Sequence, residues 1–230
     1  MKFKQLVDWL KKHRSIIIEG SAFLLIVIAV IYFSIEIYRY LHPDKILLLC
    51  SSEVVNDEAK IEPYLLPNVI PVIYDYFQTD SFTNIIQLIK ETMQKNNITR
   101  FKRVGMMFHT SKKFTLKMFR NDKEREITTD RKDMFEQQML EVYDDFILFS
   151  NYVHHLTNAE YLDVIACYVV PATNKAIYDY FNDMSDMDIN FSMTAIGGDL
   201  GNWFLEQGDV PLIGTYFNKN IETSNIVLIA

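Results

Sequence analysis

Residues 161–170 read YLDVIACYVV, a short, almost wholly apolar run rich in β-branched side chains, with Cys167 near its end. A strand buried on both faces of a parallel sheet reads this way. A second run, 103–109 (RVGMMFH), has the same character and ends on His109. If the two are neighbouring parallel strands, Cys167 and His109 emerge at one carboxyl edge, where open α/β sheets place their ligands and chemistry. A thiol beside an imidazole is the pairing of a nucleophile with its base.

The rest of the chain alternates in kind. KILLLC (45–50) predicts a first buried strand and NVIPVIYDY (68–76) a second, with Pro71 confining that part to an edge or a strand start. Between them, 51–67 is a polar connection with room for a short helix. Residues 83–96 place Ile85, Ile86, Leu88, Ile89 and Met93 at helical spacing. After the third strand, FTLKMF (114–119) and 126–128 flank RNDKE, a hairpin pattern. Asp130 suits the cap of a helix running to about Ile147, and 174–183 predicts another helix. Residues 189–195 predict a fifth strand and 210–217 a sixth. This succession predicts an α/β domain over 45–230, a mainly parallel sheet flanked by helices in three layers.

An apolar stretch precedes that domain. Residues 1–14 form a basic tail with Lys2, Lys4, Lys11, Lys12 and Arg14 against Asp8. Residues 15–38 follow, carrying no charge from Gly20 to Ile35, with 39–44 as a linker broken by Pro43. Spanning a hydrocarbon core takes about 20 apolar residues, so 15–38 is expected to be a transmembrane helix with the bilayer as its partner. A buried core helix seldom runs this long without polar residues, and no small-x-small site follows to suggest a cleaved signal peptide. The basic residues before the span, against Arg39 and Lys45 after it, orient the N-terminus to the cytosol and the large domain outside or in a lumen. Two sequons fit that side, Asn97-Ile98-Thr99 and Asn190-Phe191-Ser192.

A formal net charge of -7 argues against nucleic acid as a partner, since such binding needs a basic face to displace counterions. Two cysteines make no disulfide framework, and 7 glycines form no phosphate-cradling loop. His154 and His155 are adjacent, so they point apart on a helix, and nothing near them stands at ligand spacing. Asp179, Asp183, Asp186 and Asp188 lack the Gly and terminal Glu of a calcium loop and read as a solvated helix end. No metal or cofactor is expected. Trp203, flanked by Phe204 and Leu205, reads as core.

Three motifs carry a family resemblance: MMFHTS (106–111) with the FTLKMF strand after it, VIACYV (164–169), and GGDLGNWFLE (197–206). Together they resemble a bacterial domain found near the head of large repeat-bearing, adhesin-like surface proteins, itself similar to the caspase/gingipain clan of cysteine peptidases. That pattern is a strand ending in His-Gly-Ser, a hairpin, a helix, a strand ending in Gly-Cys-Asn, and a closing Gly-Asn-Trp followed by x-Leu-Glu. The resemblance covers roughly 45–217. It implies His109 as base, Cys167 as nucleophile, and the backbone N–H groups of Thr110 and Cys167 as oxyanion donors, with a peptide or protein as substrate or partner. Thr110 stands where the family has Gly, and Ala166 and Tyr168 replace the Gly and Asn around the cysteine. Gly reaches positive φ at no cost and Thr does not. A misaimed donor forfeits about 3 kcal/mol of transition-state stabilisation. Two functions follow: a membrane-anchored caspase-like cysteine peptidase, or a catalytically inactive domain of the same fold with a structural or interaction role at a membrane or envelope.

Overall fold

The computed structural model describes residues 27–28, 30–34, 44–55, 57–110, 115–126, 136–169, 175–197, 202–223 and 227–228. The chain divides into two compact units, Met1–Asp44 and Lys45–Ala230. In the first unit residues 27–28 and 30–34 are helical, and Ile28, Val30, Ile31, Tyr32 and Phe33 are exposed. Among the described residues no helix is long and apolar enough to cross a membrane. Most of the expected span, 15–38, lies outside them.

The second unit is an α/β domain. Its described elements run β1 (Ile46–Ser51), α1 (Glu58–Ile61), a 3-10 turn (Glu62–Tyr64), β2 (Val69–Tyr74), α2 (Phe82–Lys95) and β3 (Arg103–Met107). The hairpin strands β4 (Thr115–Leu116) and β5 (Arg125–Glu126) follow, then α3 (Glu136–Thr157), β6 (Tyr161–Ile165), α4 (Lys175–Met184) and β7 (Asp188–Phe191). Short strands close the chain: β8 (Ile196–Gly197), β9 (Phe204–Leu205), β10 (Val210–Pro211) and β11 (Val227–Leu228). Five strands form one sheet in the order β2-β1-β3-β6-β7, and every pairing in it is parallel.

The strands alternate sides with period two. Leu47, Leu49, Val104, Met106, Leu162 and Val164 face one core, covered by α2, α3 and α4 through residues such as Ile89, Phe146 and Phe181. Ile46, Leu48, Cys50, Met107 and Ile165 face the other, covered by Ile61 of α1 and by Trp203, Leu212, Tyr216 and Phe217 of the C-terminal segment. Right-handed crossovers account for the division. The connection from β1 to β2 runs one way along the sheet and those from β2 onward run the other, so α1 and α2–α4 lie on opposite faces. The layers are therefore unequal: three helices on one side, a short helix and irregular chain on the other.

Several boundaries differ from the sequence expectation. Helix α3 continues to Thr157, past Ile147, because Phe149 and Val153 carry its buried stripe onward. The run at 161–170 is extended only to Ile165. Residues 210–217 add no sixth strand to the sheet; Val210–Pro211 pairs antiparallel with Phe204–Leu205 instead. Pro71 is tolerated because β2 pairs only with β1 and forms an edge. At the other edge, Phe191 and Gln207 exchange both backbone hydrogen bonds at 3.1 Å, so the C-terminal segment covers the end of β7.

Two buried arginine-carboxylate networks hold the layers. Asp163 in β6 is fully buried; it accepts from Arg103 Nη1 at 2.7 and 2.6 Å, from Asn190 Nδ2 at 2.7 Å and from the Tyr216 hydroxyl at 2.6 Å. Gly105, the cross-strand neighbour of Asp163, makes room: a Cβ there would lie 2.7 Å from the Tyr216 ring. Arg125, also fully buried, donates to Asp122 at 2.9 Å and to Asp145 on α3 at 2.9 and 2.5 Å, fastening the β4–β5 hairpin to that helix. Removing one partner of a buried pair leaves the other charge uncompensated, which costs about 3–5 kcal/mol. Asp163→Ala is therefore expected to lower stability by about that amount, read as a reduced denaturant midpoint; a loss under about 1 kcal/mol contradicts this account.

Candidate functional site

The carboxyl edge of β3 and β6 brings the two expected residues together. The strands are in register with Met107 opposite Ile165, and the Phe108 N–H donates to the Ile165 carbonyl at 3.2 Å. His109 and Cys167 each follow two positions beyond those paired residues. They therefore leave neighbouring strands at the same level. The hydroxyl of Thr110 donates to the Cys167 carbonyl at 2.8 Å, tying the two exits together.

Cys167 lies in a turn rather than in the strand. The turn forms because Tyr168 takes the left-handed conformation, φ 48°. Its N–H reaches the Thr194 carbonyl at 3.0 Å. Left-handed backbone is costly for a bulky residue, of order 1–3 kcal/mol; asparagine tolerates it better. Thr110 is not among the described residues with positive φ, so the strain expected there falls on Tyr168 instead.

The thiol is shut in. Cys167 has no exposed surface and packs with Ile165 and Ile196. The Ile196 N–H donates to its sulfur at 3.2 Å, and the S–H faces the Ile196 carbonyl at 3.6 Å. Burial pushes the Cys167 pKa up, and the Ile196 N–H opposes that shift. The second thiol, Cys50 in the middle of the sheet, is raised well above the ordinary range by burial and then by Glu58. For Cys167 the net shift favours the protonated thiol over the thiolate.

The segment that covers Cys167 is itself held from below by Glu206. The Glu206 carboxylate accepts from the Met193 N–H at 2.8 Å, from the Thr194 hydroxyl and from Asn202 Nδ2 at 3.3 Å. The Asn202 N–H donates to the Ala195 carbonyl at 2.8 Å. Asn202 and Glu206 thus organise the turn beside Cys167, while Trp203 is core, packed edge-on to Phe217 at 5.4 Å.

His109 is half-buried, and Glu53, in the turn after β1, interacts with it electrostatically. Burial raises the Glu53 pKa, and His109 and then Lys117 pull it down. Sequence reasoning did not find Glu53. It stands at the end of the first strand, but the run of residues does not say that β1 lies beside β3. His154 and His155 behave as surface groups: His154 Nδ1 meets the Ala159 carbonyl at 2.8 Å and His155 lies 3.6 Å from Asp186. No cluster of metal-ligating side chains occurs among the described residues.

The two sequons part company. Asn97 is exposed just after α2, at φ 52°. Asn190 is only 3% exposed and its amide nitrogen is committed to Asp163, so it is not presented for a glycan; Ser192 is fully buried, its hydroxyl on the Ala166 carbonyl. Comparison with known family models, with curated proteins and with solved structures finds no match to this chain.

The raised thiols give a signed pH dependence. Below the ordinary thiol pKa, folded and unfolded chains hold the same protons, and the contribution of the neutral thiols is complete. As pH rises past it, the unfolded chain releases protons that the fold retains, and stability is lost up to and through the folded-state pKa. Tyr74 and Tyr216, also raised by burial, extend the decline to higher pH. Thermal midpoints are expected to fall on alkalinisation from neutral pH, with a shallower fall in Cys50→Ala; identical slopes would overturn the assignment.

Proposed function

We propose that residues 45–230 form a caspase-like Cys–His hydrolase domain acting on peptide bonds, carried on a single-pass membrane anchor at 15–38. The observation that carries this reading is the matched exit of His109 and Cys167 from adjacent parallel strands, bridged by Thr110. In the reaction, the Cys167 sulfur attacks the scissile carbonyl as His109 takes the thiol proton. His109 returns that proton to the departing amine, and water then hydrolyses the thioester. The Thr110 and Cys167 backbone N–H groups are the assigned oxyanion donors, and Glu53, whose pKa His109 lowers, is the assigned counter-charge for a protonated His109. The anchor reading is supported by the uncharged 20–35 stretch and by its exposed apolar residues from Ile28 to Phe33. The basic tail before it supports a cytosolic N-terminus.

One observation favours a second reading, a non-catalytic domain with an interaction role: Cys167 has no exposed surface and its thiol is driven toward the neutral form. Electrophile labelling of Cys167 across pH separates the two. Covering slows labelling equally with or without the imidazole, so the ratio of rates between the native chain and His109→Ala isolates the base. A general base contributes about 10²–10⁴-fold. A native-to-variant ratio of that order near neutral pH, together with peptide hydrolysis abolished by Cys167→Ala, is the expected result. A ratio near one at every pH, with no hydrolysis, would leave the non-catalytic reading.

A further inference from the structure

The contacts on Cys167 point to a regulatory device. We infer that residues 194–197 are a backbone shield over the thiol, latched at one end by Glu206 and at the other by β11, and that release of β11 opens the site. The inference depends on the Cys–His reading for its purpose but not for its geometry.

The shield hydrogen-bonds the sulfur through its main chain, by the N–H and carbonyl of Ile196. Moving that peptide removes both of these bonds. Between its ends, the Ala195 carbonyl accepts the Asn202 N–H and the Ile196 side chain is buried in the second core. At its start, the Thr194 carbonyl accepts the Tyr168 N–H, and Glu206 gathers Met193 and Thr194. At its end, Ile196 and Gly197 pair antiparallel with Leu228 and Val227 of β11, in a ladder of two residues. The five-stranded sheet includes neither β8 nor β11. A two-residue ladder outside the main sheet is the kind of element that opens locally without global unfolding. Gly197, at φ 85°, ends the shield in a conformation that side-chain-bearing residues rarely adopt. The shield can therefore swing about its Glu206-held turn once β11 lets go, drawing the buried Ile196 side chain out of the second core while the Asp163 network and the helix-covered core stay in place.

This device reconciles two facts that otherwise conflict. The two strand exits bring Cys167 and His109 out at one level, as the Cys–His reading requires, yet Cys167 is covered and its thiol is shifted toward the neutral form. An enzyme with a latched shield needs both: assembled chemistry and no access until the latch is drawn.

The test is labelling of Cys167 by iodoacetamide at fixed pH, followed by mass spectrometry, in the full chain, in a chain ending at Thr223, and in Glu206→Gln. Cys50, buried in β1, reports on the fold in the same sample. The expected result is at least a tenfold faster reaction at Cys167 in the shortened chain, with Cys50 still protected, and a smaller rise in Glu206→Gln. Equal Cys167 rates in full and shortened chains, or full-chain labelling as fast as in denaturant, would overturn the inference. If shortening exposes Cys50 as well, Glu206→Gln decides: a rise at Cys167 alone supports the shield, and none refutes it. Failure of the Cys–His reading looks different. The shield would then open as described, while His109→Ala made in the shortened chain would leave the labelling rate unchanged and no peptide would be cut.

Discussion

A carboxylate without water must have its charge answered on the spot, and Asp163 sets that demand at the centre of this domain. Arg103 answers from β3, Asn190 from β7 and Tyr216 from the C-terminal segment, so three sheet strands and the irregular layer meet at one side chain. Two glycines exist on its behalf. Gly105 clears space for the Tyr216 ring, and Gly208, at φ 105°, lies so near Asn190 that a Cβ would overlap its amide oxygen at 1.7 Å. Arg103 also lies 4.1 Å from the Tyr161 ring centroid, shielding the outer side of the pair.

The irregular layer depends on this anchor because it has little secondary structure to hold it. Leu212 donates back to the Trp203 carbonyl at 2.9 Å, and Trp203 leans on Phe217. The buried Trp203 indole N–H meets no hydrogen-bond partner among the described residues. That costs about 1–3 kcal/mol and is offset by apolar burial of the ring. Fixing Tyr216 thus helps fix the layer from which β8 reaches Cys167. The helical face is organised separately, by Arg125 between the hairpin and α3. The site lies at the carboxyl edge between these two differently built faces.

The sheet was legible because most of its strand residues are buried: NVIPVIYDY, RVGMMFH and YLDVIACYVV contain the observed strands, KILLLC and INFSMTA each miss one terminal residue, and Pro71 marked the edge strand correctly. Helix α2 was legible from its apolar spacing, and α4 lies within one residue of the expected 174–183. Apolar continuity also misled, since it cannot say where a strand gives way to a turn. VIACYV looks extended throughout, yet a left-handed Tyr168 folds it back after Ile165. The C-terminal layer was largely illegible. Its strands are two residues long and take their shape from side-chain-to-backbone bonds such as those of Glu206, which leave no periodic trace. Glu53 and the closure of Cys167 were hidden for a related reason: both depend on which loops the topology makes neighbours. The burial of Asn190 was invisible to a three-residue motif, because its partner lies 27 positions away.

An all-parallel sheet must end somewhere, and here each end is blunted differently. The outer strand β2 carries Pro71, which takes one N–H out of its edge, and β7 has its last residue claimed by Gln207. Neither border offers an unbroken row of donors and acceptors to another chain. Strand-by-strand growth into fibrils or domain-swapped sheets is thus discouraged by the native architecture. Any assembly this domain enters has to be made through its faces and loops, the parts that sequence patterning constrains least.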